Sequence, residues 1–240
     1  IHWLRQQRQS DAALVIVGAG PTGVELACKL SDLLEGAAVI HLVEMGEQIL
    51  PRSRAFNRAR AEAALERRQV KLHLSTSVTA VTEDQVQLEG GTALRHDGLI
   101  WSAGSRPSLP PLQPESEVNR RGISITADLR VSGQTHVFAI GDSAHHAEAP
   151  WPGTAQVAMQ QGEAIAAALA AMATGNDPEP FQFQDRGEML SLGIGDATLT
   201  GLGVTLAGPL AFKLRRATYL TRQPGLSLGL RSAGAWLLNR

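Results

Sequence analysis

A chain of 240 residues, 43% hydrophobic and 19% charged, is long enough to bury a real core in one large domain or two small ones. Its net charge of −1 gives no reason to expect nucleic acid, and its single cysteine, Cys28, excludes a disulfide framework or an intramolecular redox pair. No apolar run approaches the roughly 20 residues that span a bilayer.

The opening residues, Ile1-His2-Trp3-Leu4-Arg5, carry no signal-peptide pattern, and the chain is expected to begin inside a longer protein. Ala13-Leu-Val-Ile-Val17 reads as a buried parallel strand. Gly18-Ala-Gly20-Pro-Thr-Gly23 follows directly, and Val24 to Leu34 reads as a helix. Ala38–Val43 is a second strand, and residues 57–69 are a second helix rich in Ala, Glu and Arg. Lys71–Leu74, Val78–Thr82, Gln85–Leu88 and Leu99–Trp101 read as short strands between turns. This alternation is the pattern of a doubly wound α/β domain.

Ser105-Arg-Pro-Ser-Leu-Pro-Pro111 marks a boundary. Beyond it, Ile123–Thr126, Leu129–Val131 and Val137–Ile140 are predicted strands, and Ala155–Ala173 is a long Ala-rich helix. Residues 188–206 hold two strand-like pieces, and the tail from Pro209 reads as helical. After Asp196 there is no acidic residue but six basic ones, which leaves about −7 on residues 1–196 and makes a basic tail.

The glycine hexapeptide acquires meaning from its place between a strand and a helix. Gly18 permits the tight turn, Gly20 lets backbone approach a pyrophosphate, and Gly23 allows close helix–strand packing. The helix start then turns free N–H groups toward the phosphates. Glu44 lies 21 residues beyond Gly23, at the end of the second strand. That is the place of an acid that accepts from an adenine ribose 2′-hydroxyl and repels a 2′-phosphate, which favours NADH. A Gly-rich turn and an exposed glutamate of some other α/β fold is the alternative.

Trp101-Ser-Ala-Gly104 and Thr135-His-Val-Phe-Ala-Ile-Gly141-Asp142 together resemble the two-dinucleotide-binding-domain flavoproteins. The resemblance implies that Asp142 accepts from a ribityl hydroxyl of FAD and that Gly104 and Gly141 let the cofactor approach. Within that group, Ala155-Gln156-Val-Ala-Met-Gln160-Gln-Gly162 is similar to the Ala-Gln-x-Ala-x-Gln-Gln segment of type II NADH:quinone oxidoreductases. Gly23-Val-Glu-Leu-Ala27 and the tail 208–219 resemble the same family. The resemblance implies Ala155, Gln156 and Gln160 beside the isoalloxazine ring and the quinone, and Glu25 near the nicotinamide. It leaves Lys213 and Arg215 as alternatives for the basic residue of the family's C-terminal segment.

The implied architecture is a Rossmann-like NAD(H)-binding domain over residues 1–104 and the C-terminal part of an FAD-binding domain over 105–180. A C-terminal membrane-associating region follows over 181–240. Nothing before Asp11 supplies the family's first FAD-binding half, so the chain reads as a fragment. The implied cofactors are FAD and NAD(H), and the implied partners are NADH, a membrane quinone and an anionic membrane surface. No nucleic acid is expected, and a homodimer stays open. The implied location is peripheral, on the cytoplasmic side of a membrane. Leu226, Leu230, Ala233 and Leu237 share one helical face, with Arg231 opposite and Trp236 at its flank. These leucines could instead pack on the protein's own body or a second subunit.

Adjacent His145 and His146 project in different directions without a companion cluster, so no metal site is expected. A soluble reductase of a small redox protein and a catalytically silent nucleotide-binding module are the rival readings.

Overall fold

A computed structural model describes residues 12–109, 111, 118–148 and 150–238, without the side chains of Leu226, Leu237 and Leu238. Pro110 of the proline-rich break, Arg240 of the basic tail and the ends of the leucine stripe therefore lie outside the described groups. The chain divides into two compact units. One joins residues 1–104 to 186–240, and the other comprises 105–185. The tail set apart in the sequence thus packs with the first unit.

In the first unit, four parallel strands take the order β3-β2-β1-β7. They are β1 (Ala12–Val17), β2 (Ala38–Val43), β3 (Lys71–His73) and β7 (Gly98–Trp101). Period-two alternation gives the sheet two apolar faces. Leu14, Ile16, Ile40 and Leu42 face α1 (Pro21–Leu34) and α2 (Ala55–Arg67), where Val24, Ala27, Cys28, Ala61 and Leu65 are buried. Val15, Val17 and Val43 face the opposite way, against Val86 and Leu88 of an antiparallel meander. That meander is β4 (Val78–Val81), β5 (Gln85–Leu88) and β6 (Ala93–Arg95). Each fully buried Leu or Ile here contributes roughly 1.5–3 kcal/mol. Burial also pushes the Cys28 thiol up to about 12, so it is an inert part of this core.

The C-terminal part of this unit is a three-stranded antiparallel sheet followed by two helices. The strands are β11 (Glu188–Ser191), β12 (Ala197–Gly201) and β13 (Val204–Ala207), where the sequence reading expected two pieces. Leu190 and Leu192 enter the core beside α1 and α2. Helix α4 (Pro209–Thr221) packs on β12 and β13 and meets α5 (Leu226–Leu238). Arg216 stacks over Phe212 on its own helix and, 4.5 Å from the ring centroid, over Trp236 of α5.

The second unit holds β8 (Val118–Asn119), β9 (Gly122–Ser124) and β10 (Ala144–His145) in one small sheet, with α3 (Ala155–Ala173). Thr154 caps α3 through a bond accepted from the N–H of Val157. Two strands expected at 129–131 and 137–140 are reduced to isolated bridges, Ile125 with Val131 and Arg130 with Phe138. The cause is local. Leu129 takes a φ of +70°, which interrupts the extended run.

On the meander side of the parallel sheet, His41 Nδ1 and His73 Nε2 lie 2.9 Å apart with their rings near-parallel. One shared hydrogen serves this contact, whereas two protonated rings would oppose each other. Burial lowers both pKa values, and for His41 the neighbouring His73 and Lys71 lower it further. Protons therefore favour the unfolded chain. The pair's contribution to stability is complete above the ordinary histidine value near 6.5 and is lost as pH falls through the depressed folded values. We predict that the fall in melting temperature from pH 7.5 to 5 is smaller in a His41→Phe/His73→Phe variant. Parallel pH curves for variant and wild type would refute this.

Candidate functional site: two glycine turns

The turn after β1 is fixed by steric limits. Gly18 has a φ of +99°, and a Cβ there would lie 2.8 Å from the backbone nitrogen of Ala103. A Cβ on Gly23 would overlap the Gly18 carbonyl oxygen. Ser102 Oγ closes the same corner by donating to the carbonyls of Val17 and Gly18. Gly20 differs: its φ of −71° is ordinary, and a Cβ there would meet nothing within 4 Å. The space in front of Gly20 is open, as a cradle for a bulky group requires. Helix α1 begins there with Pro21 at its first turn and no side-chain cap, so its N–H groups face that space without competition from a side chain.

Glu44 sits beside the turn. Its Oε2 accepts from Ala19 N–H at 2.7 Å and its Oε1 from Gly46 N–H at 2.9 Å. Each carboxylate oxygen keeps a second acceptor site for a hydroxyl. The loop behind is stiff, because Leu50 N–H donates to Ala19 O and Arg58 donates to the carbonyls of Leu50, Pro51 and Ser53. The residues thus fit the phosphates and ribose of a dinucleotide.

Glu25 lies farther along α1. Its Oε1 accepts from Ser191 N–H at 2.8 Å and from Arg215 at 3.4 Å. Sequence reasoning left Arg215 and Lys213 as alternatives; Arg215 meets Glu25 and stacks 5.0 Å over Tyr219, whereas Lys213 is exposed.

In the second unit, Gly141–Ser143 form a 3-10 turn at the wall of a cavity of about 400 Å³. Gly141 has a φ of +64°, which suits glycine, and Asp142 is exposed at that wall. A Cβ on Gly153 would come within 3.5 Å of Asp142 Oδ1, so the opposite rim also approaches closely. The acid and the cavity fit a polyhydroxyl ligand. Gly104, with a φ of +74°, is an exposed glycine that ends the first unit. Ala155 is exposed in the first turn of α3.

The glutamines of α3 divide. Gln156 is half-buried. Gln160 is buried and spends both ends on the backbone of one residue: Nε2 donates to Gln184 O at 2.9 Å, and Oε1 accepts from Gln184 N–H at 3.0 Å. Gln161, which sequence reasoning passed over, is 2% exposed and accepts from Gly141 N–H at 2.8 Å. Its signal was in the chain only as the second residue of a Gln-Gln pair. Among the described residues no group of three or more His, Cys, Asp or Glu side chains could hold a metal ion.

Residues 3–162 match the family described as pyridine nucleotide-disulphide oxidoreductase. A demethylphylloquinone reductase, NdbB, of Synechocystis sp. is 37% identical, covering 98% of this chain and 63% of its own length. A type II NADH:quinone oxidoreductase of Staphylococcus aureus is 30% identical over 87% of this chain and 55% of its own. The chain therefore spans less than two thirds of these relatives. Among solved structures, NDH2 from Plasmodium falciparum in complex with NADH superposes with a TM-score of 0.77 at 14% identity, over 92% of this chain and 64% of that one. A ferredoxin reductase from Rhodopseudomonas palustris gives 0.59 at 18% identity, over 86% and 57%. Both likenesses are of fold. With a matched family profile over two thirds of its length and both glycine turns in place, the chain belongs to the pyridine nucleotide-disulphide oxidoreductase family.

Proposed function

We propose that this chain is the NADH-binding and C-terminal part of an FAD-dependent NADH:quinone oxidoreductase that works at a membrane surface. The observation that carries the reading is the pair of turns: an open Gly20 beside Glu44 in one unit, and Gly141-Asp142 at a cavity wall in the other. The names of the Synechocystis and Staphylococcus relatives support the quinone as acceptor. When bound, FAD supplies the two-electron exchange between a nicotinamide and a quinone.

The chain's own residues bind and orient. Glu44 accepts from the ribose hydroxyls, and the start of α1 receives the pyrophosphate over Gly20. Asp142 accepts from the ribityl chain. Gln156 offers a neutral donor to a quinone oxygen without carrying charge into an apolar site. Gln160 acts from behind, holding α3 to the Gln184 backbone. Glu25, anchored on Ser191 and Arg215, orders the wall on the nicotinamide side.

The membrane part of the reading rests on α4 and α5. Leu210, Leu214, Leu228 and Leu230 are exposed, as are Lys213, Arg222 and Arg231. No helix among the described residues is long and apolar enough to cross a membrane. Apolar side chains with basic neighbours suit the headgroup plane of an anionic bilayer on its cytoplasmic side.

The test is the protein at the length its gene encodes. It should carry flavin absorbance, reduce a soluble quinone analogue with NADH, and sediment with anionic liposomes. Replacing the outward Lys213, Arg222 and Arg231 by Ser, which leaves the Arg215–Glu25 pair in place, should release it from the liposomes and leave NADH-to-ferricyanide activity largely intact. A protein without flavin would sink the enzyme reading, and liposome binding that survives the three substitutions would sink the role of the tail.

Two predictions concern the first turn. Gly23→Ala should destabilise the fold by about 1–3 kcal/mol, because the added methyl overlaps Gly18 O. Gly20→Ala should leave the melting temperature unchanged yet weaken NADH binding about tenfold by filling the cradle. Equal effects on stability would show that Gly20 does not face a ligand. Glu44→Gln should narrow the NADH-over-NADPH ratio in kcat/KM by about tenfold, since one charged acceptor is lost. A wild type that prefers NADPH would overturn the assignment of Glu44.

A further inference from the structure

Two neighbouring glutamines on α3 are both more than nine-tenths buried, and they are satisfied very differently. Gln160 has both ends of its carboxamide paired with the Gln184 backbone. Gln161 has only its oxygen engaged, by Gly141 N–H. Its nitrogen takes no partner among the described residues, and the side chain forms part of the wall of the 400 Å³ cavity that Asp142 also lines. Two N–H donors at a cavity wall are therefore left over for an acceptor inside that cavity.

We infer that Gln161 is a flavin-positioning residue with two linked duties. Its oxygen fixes the peptide of Gly141, whose φ of +64° sets the direction of Asp142. Its nitrogen donates to an oxygen of the flavin in the same cavity. One side chain thereby ties the acid that accepts from the cofactor to a donor that the cofactor accepts from. The inference rests on the FAD assignment above and goes beyond it, because the resemblance to type II oxidoreductases had pointed to Gln156 and Gln160 instead.

The two duties can be separated by substitution. Gln161→Glu keeps an oxygen for Gly141 N–H and replaces the amide donor by a carboxylate oxygen. Gln161→Met removes both. FAD affinity would be measured on the apoprotein of the gene-length chain by quenching of flavin fluorescence, from pH 8 to 5, beside thermal melts. The expected result for Gln161→Met is FAD binding weaker by about tenfold or more at every pH. Gln161→Glu should melt like the wild type, bind FAD about tenfold more weakly at pH 8, and recover relative to wild type toward pH 5 as a neutral carboxyl becomes able to donate.

If Gln161→Glu binds FAD as tightly as wild type at all pH values, the nitrogen donates to nothing and the inference falls. If it melts well below wild type, the oxygen's hold on Gly141 is not preserved and the comparison passes to Gln161→Asn, whose amide does not titrate: it should hold FAD more tightly than Gln161→Met at every pH, and equal weakening in the two overturns the inference. Loss of affinity in Gln161→Glu without recovery at low pH also counts against the inference. A wild-type apoprotein that fails to take up FAD refutes the cofactor assignment itself, and that failure is visible before any variant is made.

Discussion

Two carboxylates on one face of α1 set the geometry of the first unit. Glu25 and Asp32 are seven residues apart, two turns of helix, and they accept the backbone N–H groups of Ser191 and Ile194. The seven residues between the acids cover about 10 Å of helix, so one acid takes the end of β11 and the other the turn beyond it. The strand entering the C-terminal sheet is thereby laid along the helix that starts at the nucleotide turn. Burial alone would raise the Asp32 carboxyl, but the bonds from Arg68 and Ile194 hold it below the usual range. Arg68 grips it with both Nε and Nη2, which is the strong form of such a pair. A side chain at Gly193 would collide with both partners, so the turn itself is shaped by this contact.

From that anchor the polar contacts spread outward. Glu188, at the start of β11, gathers Ser53, the Arg54 N–H and Asn57 at the beginning of α2, and so serves that helix start with a charge it lacks in its own first turn. Arg67 adds a pair with Asp196. Arg215 and Arg216, adjacent on α4, serve two ends: one reaches Glu25, the other is stacked between Phe212 and Trp236. Part of the basic tail is therefore employed inside the unit, and Lys213, Arg222 and Arg231 remain outward.

How much of this was legible in the chain follows from how local each determinant is. The glycine turn was readable because its steric demands fall within six consecutive residues, and Glu44 because a strand of fixed length delivers it. The helices α1 and α3 announced themselves by composition. The partners of Glu25 and Asp32 were not readable, because they lie 166 and 162 residues away and backbone amides leave no mark in a sequence. The same limit hid Gln161. Its neighbour Gln160 and it are the same residue type, and only the fold decides which one faces a peptide and which one faces a cavity. Leu129 misled for a related reason, since an apolar residue in a left-handed conformation looks like a strand residue until its φ is known. The leucine stripe of α5 showed periodicity but not what lies against it.

The first unit is also discontinuous, being interrupted by the whole of the second. During synthesis, at roughly 5–20 residues per second, α1 is made about 10–30 s before the strand that will occupy Glu25 and Asp32. Over that interval the nascent Rossmann sheet has its helices but not Leu190 and Leu192, which complete the apolar layer beside them. Residues 105–185 are made within that interval, so the two parts of the first unit meet only after the whole intervening segment has been synthesised.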